Sequence, residues 1–227
     1  MNLIVSGGVD KDKDTWLVPY YAGLLKKGKI LYLPLAKITR PFVESYEKMK
    51  FNMRKLGFTG EIAFWDSLKG KNFTDLDAFD SLYIEGGNPF ILLDEIKKND
   101  FAKALKSYIE SGKLVYGQSA GALIMGADIA FAASAYDVEN TPKLQDTSGL
   151  NLFKGYSFFA HYTDEKERFV KDLIKEKGFK FIGLSNYTGI HFSKNNKVCG
   201  LGQVSIFNGI SKRVFTLGEN FKLEVLD

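Results

Sequence analysis

Two hydrophobic periods alternate along the first half of the chain. Near-continuous apolar runs occur at Asn2 to Ser6, Lys29 to Leu35, Glu61 to Trp65, Ser81 to Glu85 and Leu114 to Tyr116. Runs of this length and texture predict strands of a sheet covered on both faces. Between them, apolar residues step by three and four: Trp16, Tyr20, Leu24; then Phe42, Tyr46, Met49, Met53, Leu56; then Phe90, Leu93, Ile96; then Phe101, Leu105, Ile109. That spacing predicts helices, three of which run into a glycine stop at Gly28, Gly57 or Gly112. The stripe from Phe42 to Leu56 is the clearest amphipathic helix, and its aromatic and Met positions read as core. Strands alternating with helices predict a doubly wound, mostly parallel α/β sheet, which binds ligands beyond the carboxyl ends of its strands.

The texture changes after residue 122. Ala127 to Ala135 is small and apolar, and Tyr136 to Gly149 reads as polar loop. Tyr156 to Ala160 predicts a strand ending at His161. Asp164 to Lys177 predicts a helix stopped by Gly178, with Asp164 and Glu167 at capping-box spacing. Phe179 to Leu184 predicts another strand, ending at Ser185-Asn186-Tyr187. From Gly189 onward, short segments separated by Lys194-Asn195-Asn196, Asn208-Gly209 and Gly218-Glu219-Asn220 predict antiparallel hairpins. No repeat or low-complexity linker divides the chain, so residues 1–227 read as one domain.

Composition narrows the classes. With 227 residues the chain is long enough for a sizeable core, and its net charge of +4 is mild. Lysines such as Lys97, Lys98 and Lys171 lie on amphipathic segments, reading as solvated helix faces rather than a nucleic-acid footprint. No stretch of eighteen apolar residues and no charged leader with an apolar core is present, predicting a cytoplasmic protein without membrane contact. The single cysteine, Cys199, excludes an internal disulfide and reads as a buried thiol. Two histidines and one cysteine leave little for a zinc site, and no metal or cofactor is expected.

The candidate chemistry sits where the fifth run ends. Gly117-Gln118-Ser119-Ala120-Gly121 is a Gly-x-Ser-x-Gly between a strand and an apolar segment, the setting of a nucleophile elbow. In that reading Ser119 stands at the apex, and the Ala120 N–H faces a developing oxyanion. The alternative is a plain strand-to-helix turn that uses Gly and Ser as breakers. A nucleophilic serine needs a base, and only His161 and His191 supply imidazole. His161, at a strand end, is favoured over His191, which lies within Ile190-His191-Phe192. Gly86-Gly87-Asn88 offers a second oxyanion donor at Gly87, or else simply turns the chain into the next helix.

Taken together, Gly86-Gly87-Asn88-Pro89-Phe90, Gly117 to Ala122, Asn151-Leu152-Phe153, His161 and Ile182-Gly183-Leu184 make the chain similar to the peptidase E (aspartyl dipeptidase) family of serine peptidases, which includes cyanophycinase. The resemblance spans nearly the whole chain. It implies a flavodoxin-like sheet related to class I glutamine amidotransferases, with Ser119 as nucleophile, His161 as base, and Gly87 and Ala120 as oxyanion donors. It further implies a short-peptide substrate, with an N-terminal aspartate in the dipeptidase members; a monomer or homodimer is expected, the sequence leaving the two open. Substrate contacts are implied at Asn88, at an acidic residue matched by Asp137, and at a cation matched by Arg168 or Lys166. Those two cations read equally well as exposed helix charges. One departure stands out: the family places Asp or Glu after Gly-Leu as third triad member, where this chain has Asn186. Three readings follow: an amide-assisted hydrolase, a hydrolase recruiting another carboxylate, or a weakly active member with a binding or regulatory role.

Overall fold

The computed structural model describes residues 1–8, 16–25, 27–37 and 42–220. Its elements follow in chain order: β1 (Asn2–Ser6), α1 (Leu17–Leu25), β2 (Lys29–Leu33), α2 (Val43–Lys55), β3 (Glu61–Phe64), α3 (Phe73–Asp77), β4 (Ser81–Ile84), α4 (Pro89–Lys98), α5 (Ala102–Glu110) and β5 (Leu114–Gln118). The second half contains α6 (Ala120–Leu123), α7 (Ala132–Tyr136), β6 (Tyr156–Phe159), α8 (Glu167–Lys177), β7 (Lys180–Leu184), β8 (Thr188–Phe192), β9 (Lys197–Gly200), β10 (Gln203–Asn208) and β11 (Ser211–Thr216).

The large sheet has the order β3-β2-β4-β5-β1-β8-β9, parallel from β3 through β1 and antiparallel at β8 and β9. Side-chain alternation along its strands fills two separate cores. Leu3, Val5, Leu31, Leu33, Leu82, Ile84 and Val115 face one of them. Ile4, Ile30, Tyr32, Tyr83, Leu114 and Tyr116 face the other, against Tyr21 of α1 and Met49 and Met53 of α2. Each fully buried apolar side chain contributes roughly 1.5–3 kcal/mol. The second core is aromatic, with Tyr83 and Tyr116 ring centroids 4.7 Å apart and Tyr21 5.4 Å from Tyr116. Tyr21 Oη lies 2.7 Å from Ser81 Oγ, which donates to the Leu114 carbonyl at 2.7 Å. Tyr83 Oη donates to Gln118 Oε1 at 2.8 Å, tying this layer to the residue before Ser119.

A second sheet, ordered β11-β10-β7-β6, carries the rest. β6 and β7 are parallel, whereas β10 and β11 form the antiparallel tail. The sequence pattern does not separate the two sheets, because their partition is decided by pairing between distant strands. Local features behave more simply. The stop after α2 is a Gly57 at φ 81°, with Phe58 N–H donating to the Met53 carbonyl at 3.0 Å. Leu56 is exposed rather than core, since it lies one residue past the helix end.

The expected capping box at Asp164 and Glu167 does not form. The first turn is a 3-10 segment, Asp164–Lys166, and neither carboxylate caps the backbone. Both instead bind Lys212 of β11, which lies 3.0 Å from Asp164 and also contacts Glu167. The Lys212 ammonium, distant in sequence, thus outcompetes the local N–H groups and pins α8 to the second sheet. Cys199 is buried, and desolvation pushes its thiol up to about 12.

His191 points into the tyrosine-lined core. Its Nε2–H donates to Asn2 Oδ1 at 2.7 Å, and its Nδ1 accepts from Tyr20 Oη at 2.8 Å. Burial lowers its pKa, so the fold favours the neutral ring. The unfolded chain therefore takes up a proton first, and stability should fall as pH drops below the ordinary histidine value of about 6.5. Urea midpoints at pH 7.5 and 5.5 check this: His191→Gln is expected to lose less stability across that interval than the parent chain.

Candidate active site

The sharp bend from β5 into α6 is built from glycines. A Cβ on Gly117 would lie 2.6 Å from the Gly121 carbonyl oxygen, and one on Gly121 would lie 2.6 Å from the Ile84 carbonyl oxygen. Between them Ser119 adopts φ 48° and ψ −106°, a conformation costing about 1–3 kcal/mol for a residue with a side chain. It is held there by its own N–H donating to the Ser6 carbonyl at 2.9 Å. Its carbonyl accepts from Ala122 at 2.8 Å and Leu123 at 2.9 Å. The bend leaves Ser119 half-buried, with the Ala120 N–H in the first turn where no intrahelical acceptor exists.

The hydroxyl of Ser119 lies 3.0 Å from His161 Nε2. On the other side of the ring, Nδ1 lies 2.6 Å from Asn186 Oδ1. An amide oxygen only accepts, so Nδ1 carries the proton and Nε2 is the free base facing Ser119. The residues come from three strand ends in two sheets: Ser119 after β5, His161 two residues past β6, and Asn186 two past β7.

His161 sits at φ 50°, its N–H donating to the Gly7 carbonyl at 2.9 Å. The floor beneath the imidazole is Gly8: a Cβ there would lie 2.3 Å from His161 Cε1. The Tyr136 ring meets the imidazole edge-on, at 6.2 Å between centroids and 82° between planes. Neither residue stood out as functional in the sequence. Gly7-Gly8 reads as an ordinary turn after β1, and its only signal is that β1 ends on the same rim as β5. Tyr136 lies at the start of a stretch that reads as loop.

The Gly86-Gly87 loop reaches the same place. A Cβ on Gly86 would touch Ser119 Cβ at 3.2 Å, and Gly87 is exposed at φ 148° with its α-carbon packed on the Ala36 carbonyl. Asn88 is buried and its side chain is fully engaged. Oδ1 caps α4 by accepting from Phe90 at 2.9 Å and Ile91 at 3.4 Å, while Nδ2 donates to the Glu139 carbonyl at 2.8 Å. Glu85, just before the loop, pairs with Lys37 at 2.9 Å. Asp137, in left-handed conformation after α7, is exposed and directly follows Tyr136. The Arg168 side chain is 95% exposed on α8, 4.0 Å from Asp172, and Lys166 is exposed as well. Among the described residues, no group of His, Cys, Asp and Glu could hold a metal ion, and no helix is long and apolar enough to cross a membrane.

Comparison with known proteins gives this geometry a family. The profile of peptidase family S51 matches residues 2–198. The chain belongs to that family. Membership makes it a hydrolase of the peptidase class. An uncharacterized peptidase of Pasteurella multocida is 29% identical over 152 residues, covering 63% of this chain and 70% of that one. Peptidase E of Actinobacillus pleuropneumoniae serotype 5b is 31% identical over 136 residues, 56% of this chain and 55% of its own length. A Listeria monocytogenes EGD-e chain described as a peptidase E protein superposes with a TM-score of 0.68 at 26% identity, covering 88% of this chain and 98% of that one. A peptidase from an acI-B1 actinobacterium shares the fold, with a TM-score of 0.72 at 20% identity over 97% of this chain and 96% of its own. The S51 chain thus has the mixed, mostly parallel α/β architecture of these structures.

Gly8 offers a direct test of the imidazole's seat. Gly8→Ala adds a methyl within 2.3 Å of the His161 ring and strains a backbone at φ 101°. It is expected to slow fluorophosphonate labelling of Ser119 by at least about tenfold, more than its stability loss of about 1–3 kcal/mol would account for.

Proposed function

We propose that the chain is a serine peptidase acting on short peptides, with Ser119 as nucleophile and His161 as general base. The observation that carries this reading is the Ser119–His161–Asn186 chain of contacts at 3.0 and 2.6 Å. Ser119 Oγ attacks the peptide carbonyl and passes its proton to His161 Nε2. The tetrahedral oxyanion is received by the N–H groups of Gly87 and Ala120. His161 then returns the proton to the leaving amine, and water hydrolyses the acyl-enzyme by the same route.

Asn186 keeps the productive tautomer but brings no negative charge to the imidazolium that forms. In a serine protease, exchanging the carboxylate for an amide costs about 10⁴ in kcat through the wrong tautomer, roughly 5.5 kcal/mol. Here the amide presents its oxygen, so only the missing charge is lost and the deficit is smaller. An acidic N-terminal residue in the substrate is the specificity that the family resemblance implies, and Asp137, exposed and directly after Tyr136, is the acidic residue matched to substrate binding. Arg168 would need to approach from its exposed position on α8 to serve as the substrate cation. A second reading, a weakly active member with a binding role, rests on Asn186 alone.

A fluorophosphonate is expected to label the parent chain and not Ser119→Ala. No adduct on the folded parent would overturn the activated serine. Asn186→Asp is expected to raise kcat on short peptides by about ten- to a hundredfold, and Asn186→Ala to lower it. A loss of activity in the Asp variant would show instead that the amide is the adapted partner.

A further inference from the structure

We propose that Tyr136 is the positioning residue that holds the His161 imidazole in register with Ser119. The inference rests on the peptidase reading above and concerns a part of the site that neither the family motifs nor the triad includes. Tyr136 makes one contact with the imidazole and one with the backbone just before it, by different atoms. Its ring lies edge-to-face with the imidazole at 6.2 Å. Its hydroxyl donates to the Ala160 carbonyl at 3.1 Å, on the peptide unit that leads into His161. That peptide unit precedes a residue at φ 50°, so it needs a fixed partner to stay in the left-handed region.

Tyr136 is itself anchored. Ala132 and Ala135 of α7 are buried, and the Tyr136 ring packs 5.4 Å from Phe159 and 6.2 Å from Phe131. Phe131 stacks on Phe159 at 5.5 Å and so belongs to the same aromatic cluster without an interaction with His161. The α-carbon of Gly8 also closes on the imidazole, where an added Cβ would lie 2.3 Å from Cε1. The physical need is specific to this chain. A carboxylate fixes the imidazole by charge and hydrogen bond together, whereas Asn186 supplies one neutral acceptor. The orientation that charge does not enforce is supplied by packing, and Tyr136 is the side chain placed to supply it. Burial keeps its phenol protonated, so the hydroxyl remains a donor to Ala160.

The test compares Tyr136→Phe, Tyr136→Leu and Phe179→Leu, Phe179 packing on Phe131 and Phe181 of the same cluster. Three readouts are taken: kcat and KM on a short peptide, the fluorophosphonate labelling rate, and the imidazole ¹⁵N spectrum, in which His191 is the only other histidine. Tyr136→Leu is expected to lower kcat about thirtyfold with KM within twofold, and to shift the His161 nitrogens from one tautomer toward an average. Tyr136→Phe keeps the ring and loses the anchor, so a decrease of about three- to fivefold is expected. Phe179→Leu should lower the Tm while leaving kcat within about threefold and the His161 tautomer unchanged. Parent-like labelling and tautomer in Tyr136→Leu would overturn the proposal. So would a Phe179→Leu variant that reproduces the same losses at the same decrease in Tm. A parent chain that never labels at Ser119 would sink the peptidase reading, whereas the tautomer spectrum would still decide the role of Tyr136.

Discussion

The candidate site depends on one steric constraint, the contact of three backbones where β5 turns into α6. Gly117 faces the Gly121 carbonyl, and Gly121 faces the Ile84 carbonyl of the adjacent strand, at separations that leave no room for a Cβ. With those two positions closed to side chains, the chain can reverse within the few residues around Ser119. The strain this imposes on Ser119 is borne by the sheet: its N–H is fixed to Ser6 at the end of β1, and the helix that follows takes up its carbonyl. Rigid packing beneath, including the tyrosine layer that reaches Gln118, keeps the bend from relaxing into a wider and flatter turn.

Electrostatics in the site are unusual in one respect. The third position carries a neutral amide, so the imidazole is oriented by a hydrogen bond at one nitrogen and by close packing around the ring. Orientation and charge, usually delivered by a single carboxylate, are here separated. The first is present in the geometry, and the second is absent from Asn186. The imidazole's orientation therefore depends on fixed contacts, because the energy of a short neutral hydrogen bond falls off steeply once its angle is disturbed.

Much of the fold was legible because its signals are local. Near-continuous apolar runs marked the strands that end up in the parallel part of the large sheet, and glycines marked helix ends such as Gly57 and Gly178. The motif around Ser119 and the strand-end position of His161 were equally readable. What escaped depends on distant partners. The split into two sheets follows from β6 pairing with β7 rather than with β1. Asp164 and Glu167 had capping spacing, but Lys212, about forty-five residues on, claims both. The short helices α3 and α7 lack enough turns to display a period, and α7 left Tyr136 inside an apparent loop. Gly8 matters only because the His161 ring lies over it, which no neighbouring residue announces.

The amide of Asn88 stitches two loops that are far apart in the chain. One of its ends organises the start of α4 beside Gly87, and the other holds the main chain at Glu139, two residues beyond Asp137. Variation in the 137–140 segment is therefore not independent of the loop carrying Gly87. A replacement segment of another length would have to return a carbonyl to the same point, or else leave a buried amide hydrogen without an acceptor. This makes the rim of the site a single mechanical unit, in which diversification of one loop is restrained by the other.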